Sequence, residues 1–172
     1  LVDMRKALGH GLTIRPIRAM INHHSTEIFF DNLRIPADSL IGEEGKGFRY
    51  ILSGMNAERI LIGAECIGDA RWLIDKAAAY ARERSVFGRP IGQNQGIQFP
   101  LVELATQTEM LRLLIFKTAW EMDNMPHEQI EKTISDKVSM CNYWANRLVC
   151  EAADRAMQVH GGIGYSRHKP FE

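Results

Sequence analysis

Residues 60–82 read ILIGAECIGDARWLIDKAAAYAR, and the spacing of the apolar residues in this stretch decides the fold. Apolar residues recur every three or four positions, in a stripe that begins near Ile51 and reaches Ala81. This is the spacing of one buried face of a helix. The pattern predicts a helix of about ten turns. It should end before residues 88–92, GRPIG, because proline and glycine do not suit a helix interior.

Two further helices are expected downstream. Leucines at helical spacing predict a second helix over 95–123, and Pro126 marks the break after it. A third helix is predicted over 128–159 and is stopped by the glycines of 161–164. Residues 170–172 resemble the start of a fourth helix, with proline in its first turn. Three long antiparallel helices with short links predict most of a helix bundle.

The first forty residues are expected to be extended. Residues 12–14 (LTI) and 27–30 (EIFF) are rich in strand-forming residues. Residues 35–38 (IPAD) and 42–47 (GEEGKG) form a linker with strong breakers. We therefore expect residues 1–44 to be the C-terminal strands of a β domain plus a linker. Residues 45–172 are then a helical bundle domain that is truncated at its end.

Composition excludes several kinds of partner and site. Lys plus Arg and Asp plus Glu number 21 each among the 172 residues, so net charge gives no reason to expect nucleic acid. No apolar run approaches the roughly 20 residues of a membrane span. The three cysteines lack CxxC spacing, and no metal-binding motif occurs, so we expect reduced thiols in an intracellular compartment and no metal. A chain that opens with Leu1 is expected to be an excerpt of a longer protein.

Three short segments could carry chemistry, although each also has a plainer explanation. Residues 84–95 (RSVFGRPIGQNQ) place amides at a helix N-terminus, which favours anions, but an ordinary helix connection explains them as well or better. Residues 158–165 (QVHGGIGY) allow a ligand to approach the backbone, but a glycine helix cap is the commoner case. A desolvated Glu58 could act as a general base, whereas a solvated Glu58–Arg59 ion pair is more usual.

Taken together and in this order, these segments resemble the acyl-CoA dehydrogenase family. Residues 26–48 (TEIFFDNLRIPADSLIGEEGKGF) are similar to the end of its β domain and the entry to its helical domain. Residues 84–99 (RSVFGRPIGQNQGIQF) are similar to its flavin-contacting link, and 158–172 (QVHGGIGYSRHKPFE) to its Gln-x-x-Gly-Gly-x-Gly-aromatic motif. The resemblance implies a mainly α fold: an antiparallel, up-down four-helix bundle preceded by the tail of a β domain.

The resemblance also implies a function. The expected reaction is FAD-dependent α,β-dehydrogenation of an acyl-CoA thioester, in which a Glu takes the α-proton and the β-hydride passes to flavin N5. Electrons would then pass to an electron-transferring flavoprotein. The resemblance further implies a homo-oligomer, a dimer or tetramer, in a bacterial cytoplasm or a mitochondrial matrix. Alternatives are an acyl-CoA oxidase, a nitroalkane oxidase-like flavoenzyme, or an inactive helical oligomerisation module. Residues 1–172 alone are expected to bind FAD poorly and to be inactive.

Site residues follow from the same resemblance. FAD contacts are expected from two loops at opposite ends of the bundle, the second of them across a dimer interface. Glu58 is the expected base, as in the isovaleryl and long-chain enzymes, with Arg59 as its electrostatic neighbour; Asn56 and Arg59 would lie near the substrate. The alternative is a base beyond residue 172. His168 stands where the family usually has an acidic residue. The cofactor-binding residues implied are Arg84, Phe87, Gln95, Gln158, Gly161 and Gly162.

Overall fold

The computed structural model describes residues 1–19 and 24–171, and the chain divides into two compact units, Leu1–Ile51 and Leu52–Glu172. The first unit contains a short helix, α1 (Met4–Ala7), and two strands, β1 (Leu12–Ile17) and β2 (Ser25–Phe30). The strands pair antiparallel, with Leu12 opposite Phe30 and Ile17 opposite Ser25. Both predicted strands are therefore confirmed.

Helix α1 corrects the prediction that the first forty residues are extended. The Asp3 side chain accepts hydrogen bonds from the backbone amides of Arg5 and Lys6, at 3.1 and 3.4 Å. An aspartate in this position satisfies amides that a first helical turn leaves unpaired. A second short turn, the 3₁₀ helix Ala37–Ser39, interrupts the predicted linker.

The second unit is helical, as predicted. Its helices are α2 (Gly47–Glu83, which begins in the first unit), α3 (Gln95–Asp123), α4 (His127–Thr133) and α5 (Ser135–His160). Two short strands, β3 (Ser85–Val86) and β4 (Arg89–Pro90), and the 3₁₀ turn Ile91–Gln93 connect α2 to α3. A further 3₁₀ turn, Gly161–Ile163, follows α5. The mainly α fold class is confirmed.

The third predicted helix is in fact two helices, because the backbone breaks at Ile134. This residue has φ −124° and ψ −4°, outside helical values, and its side chain is fully buried. Its backbone amide still bonds to the Ile130 carbonyl, so the turn is tight. The fourth helix stays a prediction, since Phe171 is not helical and Glu172 lies outside the described residues.

Cross-helix contacts define the direction of each helix. Gly63 of α2 faces both Ile115 of α3 and Cys141 of α5. Farther along α2, Tyr80 stacks on His160, the last residue of α5. Helices α2 and α5 therefore run in the same direction, and α3 runs back between them.

The core of the second unit is the shared surface of these three helices. Small side chains on α2 and α5 let the helices approach closely. Nowhere in the described residues is a helix both long and apolar enough to span a membrane. The buried core residues are Ile60, Cys66, Ile67, Ala70, Leu73, Ala77 and Ala81 of α2, Leu101, Leu104 and Ile115 of α3, Ile134, Val138, Cys141, Ala145, Leu148, Ala152, Ala156 and Val159, and Phe171.

Candidate functional site

The C-terminal ends of α2 and α5 lie together and enclose a cleft of about 390 Å³. This arrangement corrects the expectation that the two motif loops lie at opposite ends of the bundle. Because α2 and α5 are parallel, the segments that follow them emerge at the same end. The cleft is lined by Tyr80, Arg84, Val86, Ile91, Val159, His160, Gly161, Gly162 and Ile163.

Three predicted cofactor residues, Arg84, Gly161 and Gly162, are brought together in this cleft. A larger groove of about 670 Å³ lies between α2 and α3, and none of the predicted site residues lines it. The cleft at the end of the bundle is therefore the better candidate for a functional site.

The segment after α2 is a β-hairpin that exposes an aromatic ring. Val86 pairs with Arg89, so Phe87 and Gly88 form a two-residue turn with φ values of 52° and 78°. Two positive φ values are the requirement of the tight hairpin turn that suits twisted strands. The Phe87 side chain is completely exposed, at 101%. The turn thus presents an apolar face that no described residue covers.

Gln95 begins α3 and is exposed, but it does not line the cleft. The preceding Asn94 is held by its neighbours. Its Oδ1 accepts a bond of 2.8 Å from Arg89 Nη2, and its Nδ2 donates to the Ile91 carbonyl at 3.0 Å. Asn94 therefore fixes the hairpin against the helix instead of capping the helix with its side chain.

Gly161 and Gly162 form the turn after α5, and their positions place different demands on the residue there. Gly161 has φ 63° and ψ −143°, a conformation that residues with a side chain rarely adopt, and its N–H donates to the Gln158 carbonyl. A Cβ atom added to Gly162 would meet no described atom within 4 Å. Packing within the described residues therefore does not require a glycine at position 162, and its backbone borders the open cleft. Gln158 is exposed one turn before this site.

The predicted catalytic residues lie far from the cleft, near the start of α2. Asn56 is buried, and its Oδ1 accepts a long bond of 3.4 Å from Arg59 Nη1. Glu58 is exposed, and in the described part of the chain it forms no ion pair with Arg59. One turn farther on, Leu61 and Ile62 are exposed apolar neighbours of Glu58.

The aromatic cluster at the cleft was not predicted from the sequence. His160 and Tyr80 stack with ring centroids 4.2 Å apart, and the Phe171 ring is tilted against that of His160 with centroids 4.7 Å apart. No sequence pattern marks this cluster, because Tyr80 and Phe171 are separated from His160 along the chain. Among the described residues, no group of three or more metal-ligating side chains occurs.

The architecture and the cleft define a helical bundle domain whose two motif loops meet at one end. Residues 45–172 match the family described as acyl-CoA dehydrogenase, C-terminal domain. The chain belongs to the acyl-CoA dehydrogenase family.

Individual relatives agree with this assignment. The chain is 36% identical over 149 residues to an acyl-CoA dehydrogenase of Bacillus subtilis, which covers 87% of this chain and 38% of the relative. It is 35% identical over 148 residues to an acryloyl-CoA reductase (NADH) of Anaerotignum propionicum, with 86% and 36% covered. A glutaryl-coenzyme A dehydrogenase in complex with glutaryl-CoA superposes with a TM-score of 0.85 at 30% identity, over 94% of this chain and 40% of that one. The chain thus spans about two fifths of the length of these relatives.

Proposed function

We propose that the full-length protein catalyses FAD-dependent α,β-dehydrogenation of an acyl-CoA thioester. The observation that carries this proposal is the cleft in which Arg84 meets Gly161 and Gly162. These residues come from two segments that are far apart in the sequence, and both resemble flavin-contacting motifs of the family.

The residues of the cleft, and those of the segments beside it, suit a dinucleotide. Arg84 offers a cationic guanidinium for a pyrophosphate, which planar guanidinium groups bind well. The bare backbone at Gly161 and Gly162 allows close approach of the ligand. Phe87 offers an exposed ring for stacking, and the exposed amides of Gln95 and Gln158 can donate or accept hydrogen bonds. We assign all six residues to FAD binding.

We assign Glu58 as the base that takes the α-proton. Its apolar neighbours Leu61 and Ile62 are exposed, and surfaces of this kind are normally covered by other parts of a protein. Once covered, they would remove water from the Glu58 carboxylate, which makes a carboxylate a stronger base. Arg59 would act as a nearby positive charge, and Asn56 and Arg59 would contact the substrate.

The cofactor supplies the remaining chemistry, because a bound flavin accepts the hydride that leaves the β-carbon. The chain itself orients and holds the proton acceptor. Helix α2 is continuous from Gly47 to Glu83, so Glu58 projects from a rigid element. Such rigidity favours transfer of a proton between closely positioned atoms.

Several broader assignments rest on the family. We propose that residues 1–44 are the end of a β domain and 45–172 a bundle domain, that electrons pass to an electron-transferring flavoprotein, and that the protein is a homodimer or homotetramer. Exposed apolar side chains along α3, among them Val102, Leu113 and Trp120, support a surface that other chains or domains cover. The bacterial cytoplasm or the mitochondrial matrix is the proposed location.

One relative favours a second candidate function. The Anaerotignum relative is named as a reductase, so the same scaffold could run the reaction towards the saturated thioester.

Oxygen consumption separates a dehydrogenase from an oxidase, since only an oxidase produces peroxide without another acceptor. A flavin spectrum of residues 1–172 tests the proposal that this part alone binds FAD poorly.

The decisive experiment is Glu58→Gln in the full-length protein, mixed anaerobically with acyl-CoA thioesters. General base catalysis contributes on the order of 10²–10⁴-fold, so bleaching of the flavin should slow by about that factor. Glu65→Gln is a matched control, because Glu65 is exposed two turns farther along the same helix. Unchanged bleaching in Glu58→Gln would move the base to a segment beyond residue 172. A full-length wild type that takes up no FAD would overturn the proposal itself.

A further inference from the structure

The imidazole of His160 forms part of the cleft and is held from two sides. It is only 6% exposed, yet it lines the cleft together with Arg84 and Gly162. Tyr80 stacks on one face with an interplanar angle of 24°, and Phe171 lies tilted at 58° against the ring. The ring therefore has one well-defined orientation relative to the glycine turn.

A hydrogen bond fixes the tautomer of this histidine. Nδ1 lies 2.8 Å from the Ala156 carbonyl oxygen. A carbonyl can only accept, so Nδ1 carries the proton and donates it. In the neutral ring, Nε2 is then an acceptor with a free lone pair.

The accessibility of Nε2 follows from the same structure. In the part of the chain that is described, every side-chain nitrogen or oxygen that is fully buried has a hydrogen-bond partner. Among the described residues, the one hydrogen bond of the His160 ring is that of Nδ1. Nε2 is therefore not sealed inside the bundle, and the residue that carries it lines the cleft.

We propose that His160 is a cofactor-contacting residue, whose Nε2 accepts a hydrogen bond from a sugar or ribityl hydroxyl of the FAD bound in this cleft. The inference rests on the proposed function. Positive charge for phosphates comes instead from Arg84 in the cleft and from Lys169, whose ammonium lies 5.6 Å from the Tyr80 ring centroid. In this tautomer, Nε2 can accept a hydrogen bond from a hydroxyl group.

Three substitutions in the full-length protein distinguish the contributions of the aromatic ring, of Nδ1 and of Nε2. His160→Phe keeps the aromatic stack and removes both nitrogens. His160→Asn can replace the Nδ1 donor, and His160→Gln reaches the position of Nε2. We expect the dissociation constant for FAD to rise about tenfold in the Phe and Asn variants, the worth of one hydrogen bond. It should stay within about threefold of wild type in the Gln variant. His168→Gln is the matched control, because His168 is exposed and does not line the cleft.

A second measurement needs no variant of His160. Diethylpyrocarbonate modifies an accessible imidazole nitrogen, and peptide mapping can follow His160 and His168 separately in the wild-type protein. Bound FAD should protect His160 and leave His168 reactive. Equal FAD affinity in His160→Phe and wild type, weak binding in His160→Gln, or modification of His160 unaffected by FAD would each overturn the contact. Failure of the wild type to bind FAD would instead overturn the proposed function.

Discussion

The two units of the chain use similar apolar residues in opposite ways. In the hairpin unit, every residue of β2 is exposed, including Ile28, Phe29 and Phe30. In the bundle, α5 buries one residue at nearly every turn from Val138 to Val159. Apolar content alone therefore does not decide burial: the bundle has three helices that share one core, whereas the described part of the hairpin unit buries only Ala7 and Leu12 among its apolar residues. Isolated two-stranded hairpins are marginally stable for this reason.

The bundle contains the same contrast on a smaller scale. Its centre includes small residues such as Ala70, Ala77 and Ala145, while large side chains such as Phe116 and Trp144 lie outside. Small residues bring the helix axes close together. The large apolar residues on the outer faces support the proposal that other domains or copies cover the bundle.

Among the substitutions that test this comparison, Leu104→Ala in the bundle should cause the largest loss of unfolding free energy. Leu104 is 2% exposed, and removing its side chain leaves a cavity that costs about 3 kcal/mol of unfolding free energy. Leu113→Ala is the control on the same helix, where the side chain is 61% exposed and the expected change is under about 0.5 kcal/mol. Denaturant unfolding of the chain, followed by helical circular dichroism, measures both. Equal losses in the two variants would contradict the assignment of the core.

A smaller effect is expected from Leu12→Ala in the hairpin. Leu12 is 1% exposed, but apart from Ala7 it has no buried apolar partner in the described part of its unit. We expect the opening free energy of the strand amides to fall by about 1–2 kcal/mol, below the loss for Leu104→Ala. Hydrogen exchange of the β1 and β2 amides gives this quantity directly. A loss as large as that in the bundle would show that the hairpin has a core of its own.

The smallest expected change is a dependence of stability on pH that arises from buried thiols. It applies only to the bundle, because the hairpin unit has no cysteine. Burial, with the nearby carboxylates of Asp69 and Glu65, raises the pKa of the Cys66 thiol. Burial also raises the pKa of the Cys141 thiol, although the Thr118 hydroxyl partly offsets this. The folded pKa values exceed the unfolded ones, so the stabilisation is complete below the unfolded pKa and is lost as pH rises through the folded pKa.

Unfolding measured between pH 7 and pH 10, a window around the ordinary thiol pKa of about 8.5, should therefore reveal a modest decline in bundle stability. The same titration of a Cys66→Ala/Cys141→Ala variant separates this decline from that caused by other groups. An identical slope in both proteins would rule out a contribution from these thiols.

The fold could be predicted wherever a periodic pattern ended at a strong local signal. Helix α3 follows GRPIG and ends before Pro126, and its observed bounds agree with the prediction. The break at Ile134 could not be predicted, because an apolar residue there continues the helical stripe and no glycine or proline marks it. Helix α1 was missed because its only signal is the single capping residue Asp3.

The candidate site was only partly accessible from the sequence. The two motif loops could be identified, but their assignment to opposite ends was wrong, since one helix returns between α2 and α5. The proposed role of His160 depends on contacts with Tyr80 and Phe171, residues distant in sequence or separated from it by the glycine turn. Such contacts leave no periodic trace.

The length of α2 has a consequence for how many copies a working protein needs. From Glu58 to the end of this helix is roughly 38 Å along a straight axis. This separation exceeds the reach of one extended dinucleotide, so a single flavin cannot lie beside Glu58 and also occupy the cleft at Arg84 in the same chain. On the proposed function, Glu58 and the glycine turn of one chain would therefore contribute to two different reaction centres. A single copy would then contain no complete reaction centre.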